Sequence, residues 1–206
     1  MRLGILGGTF DPIHFGHLKV AESCLKKLNL NLILFIPSGN PPLKKVSADY
    51  IHRLKMLKLA LKGYTHFKVV ELEKKRFDNQ PTYTYNTLKT IKKLYPKAYR
   101  FFLIGEDNVP ELKKWYRYKE LFKYAEFIVL TRNVNSKKSW TNLEYYDKLK
   151  FVNTPLIDIS SNTIRNNVIN NLPIKGLLPE NVENYIKENK LYSELVNYLT
   201  KVSHEI

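Results

Sequence analysis

At 206 residues, 44% of them hydrophobic, the chain is long enough for one well-buried core and too short for two comfortable domains. Seven arginines and 27 lysines against 19 acidic residues give a formal net charge of +15, a field that suits nucleic acid, an anionic membrane surface or small polyanions. No apolar stretch reaches membrane-spanning length, the N-terminus enters a strand instead of a signal-peptide core, and Cys24 is the lone cysteine; a disulfide framework is excluded and a cytoplasmic location is expected.

The basic residues fall in short runs, Lys26-Lys27, Lys44-Lys45, Lys74-Lys75-Arg76 and Lys92-Lys93, which read as solvated helix faces and loops instead of a nucleic-acid groove. In chain order, Leu3-Gly4-Ile5-Leu6 is a first buried strand, and Leu18, Ala21, Leu25 and Leu28 recur at the spacing of a first helix. Between them lies Gly7-Gly8-Thr9-Phe10-Asp11-Pro12-Ile13-His14-Phe15-Gly16-His17, a glycine-rich turn into a helix N-terminus. Free backbone N–H groups and the helix dipole make such a turn an anion site, and two histidines three positions apart add side-chain donors. Neither G-x-G-x-x-G nor a Walker A pattern is present, and H-x-G-H lacks the further ligands a zinc site needs. No metal site is expected within the chain itself. Asp11 before Pro12 reads as an Asx-type loop organiser.

Residues 32–36 form a second strand ended by Pro37, 50–61 an amphipathic helix, 67–72 a third strand, and 82–94 a helix with Thr82 as its N-cap. A fourth strand at 100–104, a helical segment at 115–124 and a fifth strand at 126–131 follow. Residues 133–150 are polar and poorly periodic and read as a loop with one helix at most. Ser160-Ser161 caps a helix that carries Arg165 one turn in, and a last helix starts around Pro179. This alternation predicts an α/β, Rossmann-like doubly wound parallel sheet of about five strands with helices on both faces. One domain over residues 1–206 is expected, its C-terminal helical segment from about 160 to 206 packed on the sheet. Ligands in such folds sit outside the carboxyl ends of the strands, at the switch in strand order.

G-G-T-F-D-P-x-H-x-G-H resembles the signature of the nucleotidyltransferase superfamily, and within it the nicotinate-nucleotide adenylyltransferase family. Further matches follow in order: Ile36-Pro37-Ser38-Gly39-Asn40-Pro41-Pro42-Leu43-Lys44, His52-Arg53-Leu54, Pro81-Thr82-Tyr83-Thr84, Phe102-Leu103-Ile104-Gly105-Glu106-Asp107, Lys114-Trp115 and Ile159-Ser160-Ser161-Asn162-Thr163-Ile164-Arg165. The resemblance spans roughly residues 1 to 192. It implies adenylyl transfer from ATP to nicotinate mononucleotide, giving deamido-NAD and pyrophosphate in NAD biosynthesis, with Mg2+ bound to the ATP phosphates.

By that resemblance His14, His17 and Arg165 are the catalytic residues. Gly8, Thr9, Phe10, Lys44, Gly105, Asp107, Ser160 and Ser161 bind ATP, the first three partly through their backbone and Asp107 through ribose hydroxyls. Asn40, Tyr83, Thr84 and Trp115 bind the mononucleotide, Trp115 by stacking on the pyridine ring. The implied partners are these small molecules and neither nucleic acid nor membrane; a homo-oligomer is left open by the sequence. Four positions depart from the family pattern: Asn86 stands where aspartate is usual, Leu43 where histidine is, Asn162 where threonine is, and Thr131-Arg132 where Lys-Arg is. The alternatives are a sister adenylyltransferase for pantetheine phosphate or nicotinamide mononucleotide, and, on charge alone, a nucleic-acid-binding module. A cytidylyltransferase would show an Arg-Thr-x-Gly-Ile-Ser-Thr-Thr element, which this chain lacks.

Overall fold

Strands that are near-continuous apolar runs are buried on both faces, as in a parallel sheet covered by helices on each side. The computed structural model describes residues 1–73, 81–131 and 140–193. Its strands are β1 (Arg2–Gly8), β2 (Leu32–Pro37), β3 (Phe67–Val69), β4 (Tyr99–Gly105), β5 (Glu126–Thr131) and β6 (Leu149–Asn153). They form one parallel sheet in the order β3-β2-β1-β4-β5-β6. Side chains alternate between two cores. Ile33 and Phe35 of β2 join Phe101 and Leu103 of β4 on one face, while Leu34 and Ile36 join Phe102 and Ile104 on the other.

Helices α1 (Phe15–Lys27), α2 (Tyr50–Ala60), α5 (Ser161–Ile169) and α6 (Glu180–Glu188) supply the first core through Leu18, Met56, Ile164 and Val182. Helix α3 (Thr84–Leu94) and the short α4 (Tyr118–Leu121) supply the second through Leu88, Ile91 and Leu121. The C-terminal segment packs on the first core as far as Leu191 and Tyr192; residues 194–206 lie outside the described residues, as do Lys74-Lys75-Arg76 and Arg132.

Several elements differ from the sequence reading. The sheet has six strands where about five were expected, because β6 falls partly inside the stretch read as a loop. Its apolar Leu149, Phe151 and Val152 are interrupted by Lys150, exposed on this edge strand and paired with Glu126 at 2.8 Å. Strand β3 stops at Val69, although the Val70 N–H still donates to the Phe35 carbonyl (2.9 Å). Helix α3 begins at Thr84, capped by Tyr83 and not by Thr82. The Thr82 hydroxyl instead accepts the Asn40 N–H (3.3 Å) while its own N–H donates to the Asn40 carbonyl (3.0 Å). The helix expected over 115–124 shrinks to α4, with Trp115 in extended backbone ahead of it.

Candidate active site

The strand order reverses between β1 and β4, whose chain connections leave in opposite directions and open a crevice at their carboxyl ends. A cleft of about 1100 Å³ occupies that place. From the β1 turn it is lined by Gly8, Thr9, Asp11, His14 and His17, and from the loop after β2 by Lys44. Tyr83 and Thr84 enter from the start of α3, Gly105 and Asp107 from the end of β4, Trp115 from the turn before α4, and Ser160, Ser161 and Arg165 from α5. Two expected residues do not line it. The Phe10 side chain is buried in the core, and Asn40 sits behind the wall in its reciprocal pairing with Thr82.

At the phosphate end the histidine rings lie 3.8 Å apart. The His14 N–H donates to His17 Nδ1 at 3.3 Å, so the ring proton of His17 sits on Nε2. Burial, then the neighbouring His14 and Lys44, hold the His17 pKa well below the usual histidine range. His17 is therefore a neutral N–H donor at pH 7. Gly16 leaves room for the ring of His14, since a Cβ there would stand 2.8 Å from two of its atoms. The Phe15 N–H, one of the donors expected at the α1 N-terminus, is already taken by the Leu177 carbonyl (3.0 Å).

Helix α5 is fastened to the same turn. Ser160 is its N-cap, accepting the Thr163 N–H at 3.0 Å, as its sequence implied. The Ser161 hydroxyl donates to the Pro12 carbonyl (2.9 Å), and Arg165 Nη1 donates to the Asp11 carbonyl (2.7 Å). Lys44 and Asp107 face each other across the cleft at 3.8 Å, both largely exposed, an arrangement that costs little to open. Asp11 organises more than its own turn. Its buried carboxylate accepts the Ser47 and Ala48 N–H groups (2.6 and 3.1 Å) and the Tyr192 hydroxyl (2.7 Å).

At the other end Trp115 meets Phe102 edge-on at 6.1 Å, and the Tyr83 ring lies 4.7 Å from that of Tyr116, another lining residue. Sequence reasoning missed Tyr116 and Glu73, and met Arg53 within a family motif without assigning it a role. Glu73 lines the cleft and accepts the Thr87 hydroxyl at 2.5 Å; burial raises its pKa, against hydrogen bonds from Thr87, Thr82 and the Gly39 backbone. Arg53 is fully buried, its guanidinium donating to the carbonyls of Ala48 (3.0 Å), Thr9 (2.7 Å), Ser38 (2.8 Å) and Gly39 (3.2 Å). The signal for Arg53 was present: a charge in register with Leu57 and Ala60 on the buried stripe of α2.

A cytidylyltransferase-like family model matches residues 5–167. A curated relative from Methylacidiphilum infernorum, named probable nicotinate-nucleotide adenylyltransferase, is 41% identical over 198 residues, covering 93% of this chain and 92% of its own. The chain belongs to the nicotinate-nucleotide adenylyltransferase family. A second family member so named, from Dehalococcoides mccartyi, is 38% identical and covers 93% of this chain and 97% of its own. The fold is shared with the Plasmodium falciparum nicotinic acid mononucleotide adenylyltransferase solved with NaAD (TM-score 0.71, 23% identity, covering 93% and 97% of the two chains). The six-stranded parallel architecture of this chain is thus that of a nicotinate-nucleotide adenylyltransferase.

Proposed function

We infer that this chain transfers the adenylyl group of ATP to nicotinate mononucleotide, giving deamido-NAD and pyrophosphate. The observation that carries the reading is the convergence, on one cleft at the sheet's switch point, of neutral His17, cationic Lys44 and Arg165, and the aromatic pair Trp115 and Tyr116. A row of N–H and cationic donors suits a polyphosphate, and an aromatic wall suits a base. The relatives at 41% and 38% identity support the substrate assignment.

The mononucleotide phosphate is already ionised and is the nucleophile. One of its oxygens forms a bond to the α-phosphorus of ATP as the bond to the bridging oxygen breaks, and pyrophosphate carries away the electron pair. No proton need move, so the protein's work is alignment and compensation of charge on the α-phosphoryl oxygens. His14 and His17 take that task from the β1 turn, with backbone help from Gly8, Thr9 and Phe10. Arg165, Lys44 and the N-terminus of α5 at Ser160 and Ser161 hold the departing pyrophosphate.

Asp107 and Gly105 receive a ribose. Trp115 stacks on the pyridine ring, Tyr83 and Thr84 meet the nicotinate carboxylate, and Asn40 acts through the segment it braces. Among the described residues there is no group of three His, Cys, Asp or Glu side chains placed to hold a metal, and Asp11 accepts three hydrogen bonds from the protein itself. In this reading magnesium enters with ATP, held by its phosphate oxygens and water, and neutralises charge on the leaving group. The substrates and the buried free thiol of Cys24 favour a cytoplasmic location; among the described residues no helix is long and apolar enough to cross a membrane.

The test is pyrophosphate release from purified protein. Release that requires both ATP and nicotinate mononucleotide, and that CTP does not support, is expected. Release with CTP, or none with any pair, would overturn the reading.

A further inference from the structure

An arginine that is always charged is costly to bury, and burial does lower the pKa of Arg53 despite the nearby Asp11. Its four hydrogen bonds all run to main-chain carbonyls, three of them on the two loops that flank the cleft: Thr9 after β1, Ser38 and Gly39 after β2. In a trans peptide the carbonyl and the following N–H point in opposite directions. Each carbonyl turned down toward Arg53 therefore turns the next N–H up and away from it.

Two of these N–H groups have evident employment. That of Gly39 supports the Glu73 carboxylate, and that of Asn40 donates to Thr82, so both brace the segment leading into Tyr83. The third belongs to Phe10. Among the described residues no acceptor takes it, and Thr9 and Asp11 on either side of it line the cleft. Phe10 itself has φ +48°, a left-handed conformation unusual for a non-glycine residue, with its ring locked in the core 5.3 Å from His17 and 5.8 Å from Phe35. Left-handed residues in such turns make successive N–H groups converge on an anion.

We propose that Arg53 is a positioning residue for adenylyl transfer: by holding the Thr9 carbonyl it aims the Phe10 N–H into the cleft at the phosphates of ATP. The ligand rests on the adenylyl-transfer reading; the geometry does not. Arg53→Lys keeps the charge and loses the fork, because one ammonium cannot serve four carbonyls set around a plane.

The probe is inorganic tripolyphosphate, followed by calorimetry and by the backbone amide spectrum of 15N-labelled full-length protein. In the wild type the Phe10 amide shifts on addition of tripolyphosphate. In Arg53→Lys that shift is lost and the tripolyphosphate Kd rises at least about tenfold, while the Kd for nicotinate mononucleotide, whose Tyr83 segment Arg53 reaches only through Gly39 and Asn40, rises by less. Unchanged tripolyphosphate binding by the folded variant overturns the proposal, as do equal losses for both ligands. If the variant does not fold, the wild-type spectrum decides alone: a Phe10 amide that stays still while Gly8 or His17 amides move overturns it. Absence of wild-type turnover with ATP and nicotinate mononucleotide would instead count against the substrate reading, and the tripolyphosphate measurements would stand apart from it.

Discussion

His17→Ala removes a ring whose one remaining N–H is committed in direction. Because Nδ1 is occupied by the His14 N–H at 3.3 Å, the Nε2–H is the donor left for a ligand, and the low pKa keeps it in that form at neutral pH. Loss of one preorganised donor to developing negative charge costs about 2.7–4 kcal/mol, or roughly two to three decades in kcat. Folding should suffer far less. The substitution deletes one long hydrogen bond and the ring contacts with Phe10 and His14 at a half-buried position, and such a bond is worth about 0.5–1.5 kcal/mol net. Steady-state pyrophosphate release beside thermal unfolding separates the two effects.

The same reasoning fixes a sign with pH. An unfolded histidine protonates near its usual value while folded His17 resists, so the fold loses stability as pH drops below about 6.5 toward the lower folded pKa, and His17→Ala abolishes that component. Wild-type turnover in a folded His17→Ala protein, or an NMR titration placing the free-enzyme pKa of His17 at or above 6.5, would refute the donor assignment.

Arg165→Ala should raise KM for ATP at least about tenfold and leave KM for nicotinate mononucleotide within about threefold, since its proposed ligand is the leaving pyrophosphate; equal damage to both constants would make it a structural residue for the Asp11 carbonyl it holds. Trp115→Ala should weaken nicotinate and nicotinamide mononucleotides alike by about 1–3 kcal/mol, because stacking does not sense the carboxylate, and binding measurements that show selective loss of one would contradict this. Tyr192→Phe deletes a buried hydrogen bond to the Asp11 carboxylate, 2.7 Å long. A loss of about 1.5–3 kcal/mol is expected, lowering Tm by roughly 3–12 °C for a chain of this size, and an unchanged Tm would show that the hydrogen bond carries no stability.

Burial on both faces made the central strands legible, because β1, β2, β4 and β5 are continuous apolar runs with no competing pattern. Edge strands are read from one face only. Strand β6 disappears into its alternation with Lys150, and β3 continues in sequence beyond the point where the sheet stops pairing with it. Capping chemistry was a fair guide where a hydroxyl stood directly before the helix, as at Ser160, and misleading at Thr82, where a tertiary partner, Asn40, competed for the hydroxyl.

The cleft was legible through motifs whose residues lie far apart in sequence and meet at the switch point. What stayed hidden were groups acting on backbone. Asp11 reads locally as a turn former, yet its carboxylate reaches Ser47, Ala48 and Tyr192; Arg53 stood out in sequence only as part of a family motif on α2, and its partners are carbonyls, which carry no sequence signature. The departure at Leu43 places an exposed apolar side chain at the rim, and Asn162 accepts from Arg165 Nη2 at 3.2 Å. Asn86 is exposed and its N–H donates to the Tyr83 carbonyl within the first turn of α3.

A donor-lined subsite in a positive field distinguishes an acid from its amide, because the amide NH2 facing N–H and hydroxyl donors would leave them unpaired. Incubation of the protein with ATP, magnesium and equimolar nicotinate and nicotinamide mononucleotides, followed by chromatographic quantitation of the dinucleotides formed, reads this choice and the reaction together. Deamido-NAD should exceed NAD by at least about a hundredfold. Comparable yields of the two would contradict the nicotinate assignment while leaving adenylyl transfer intact, and the absence of both would contradict adenylyl transfer itself.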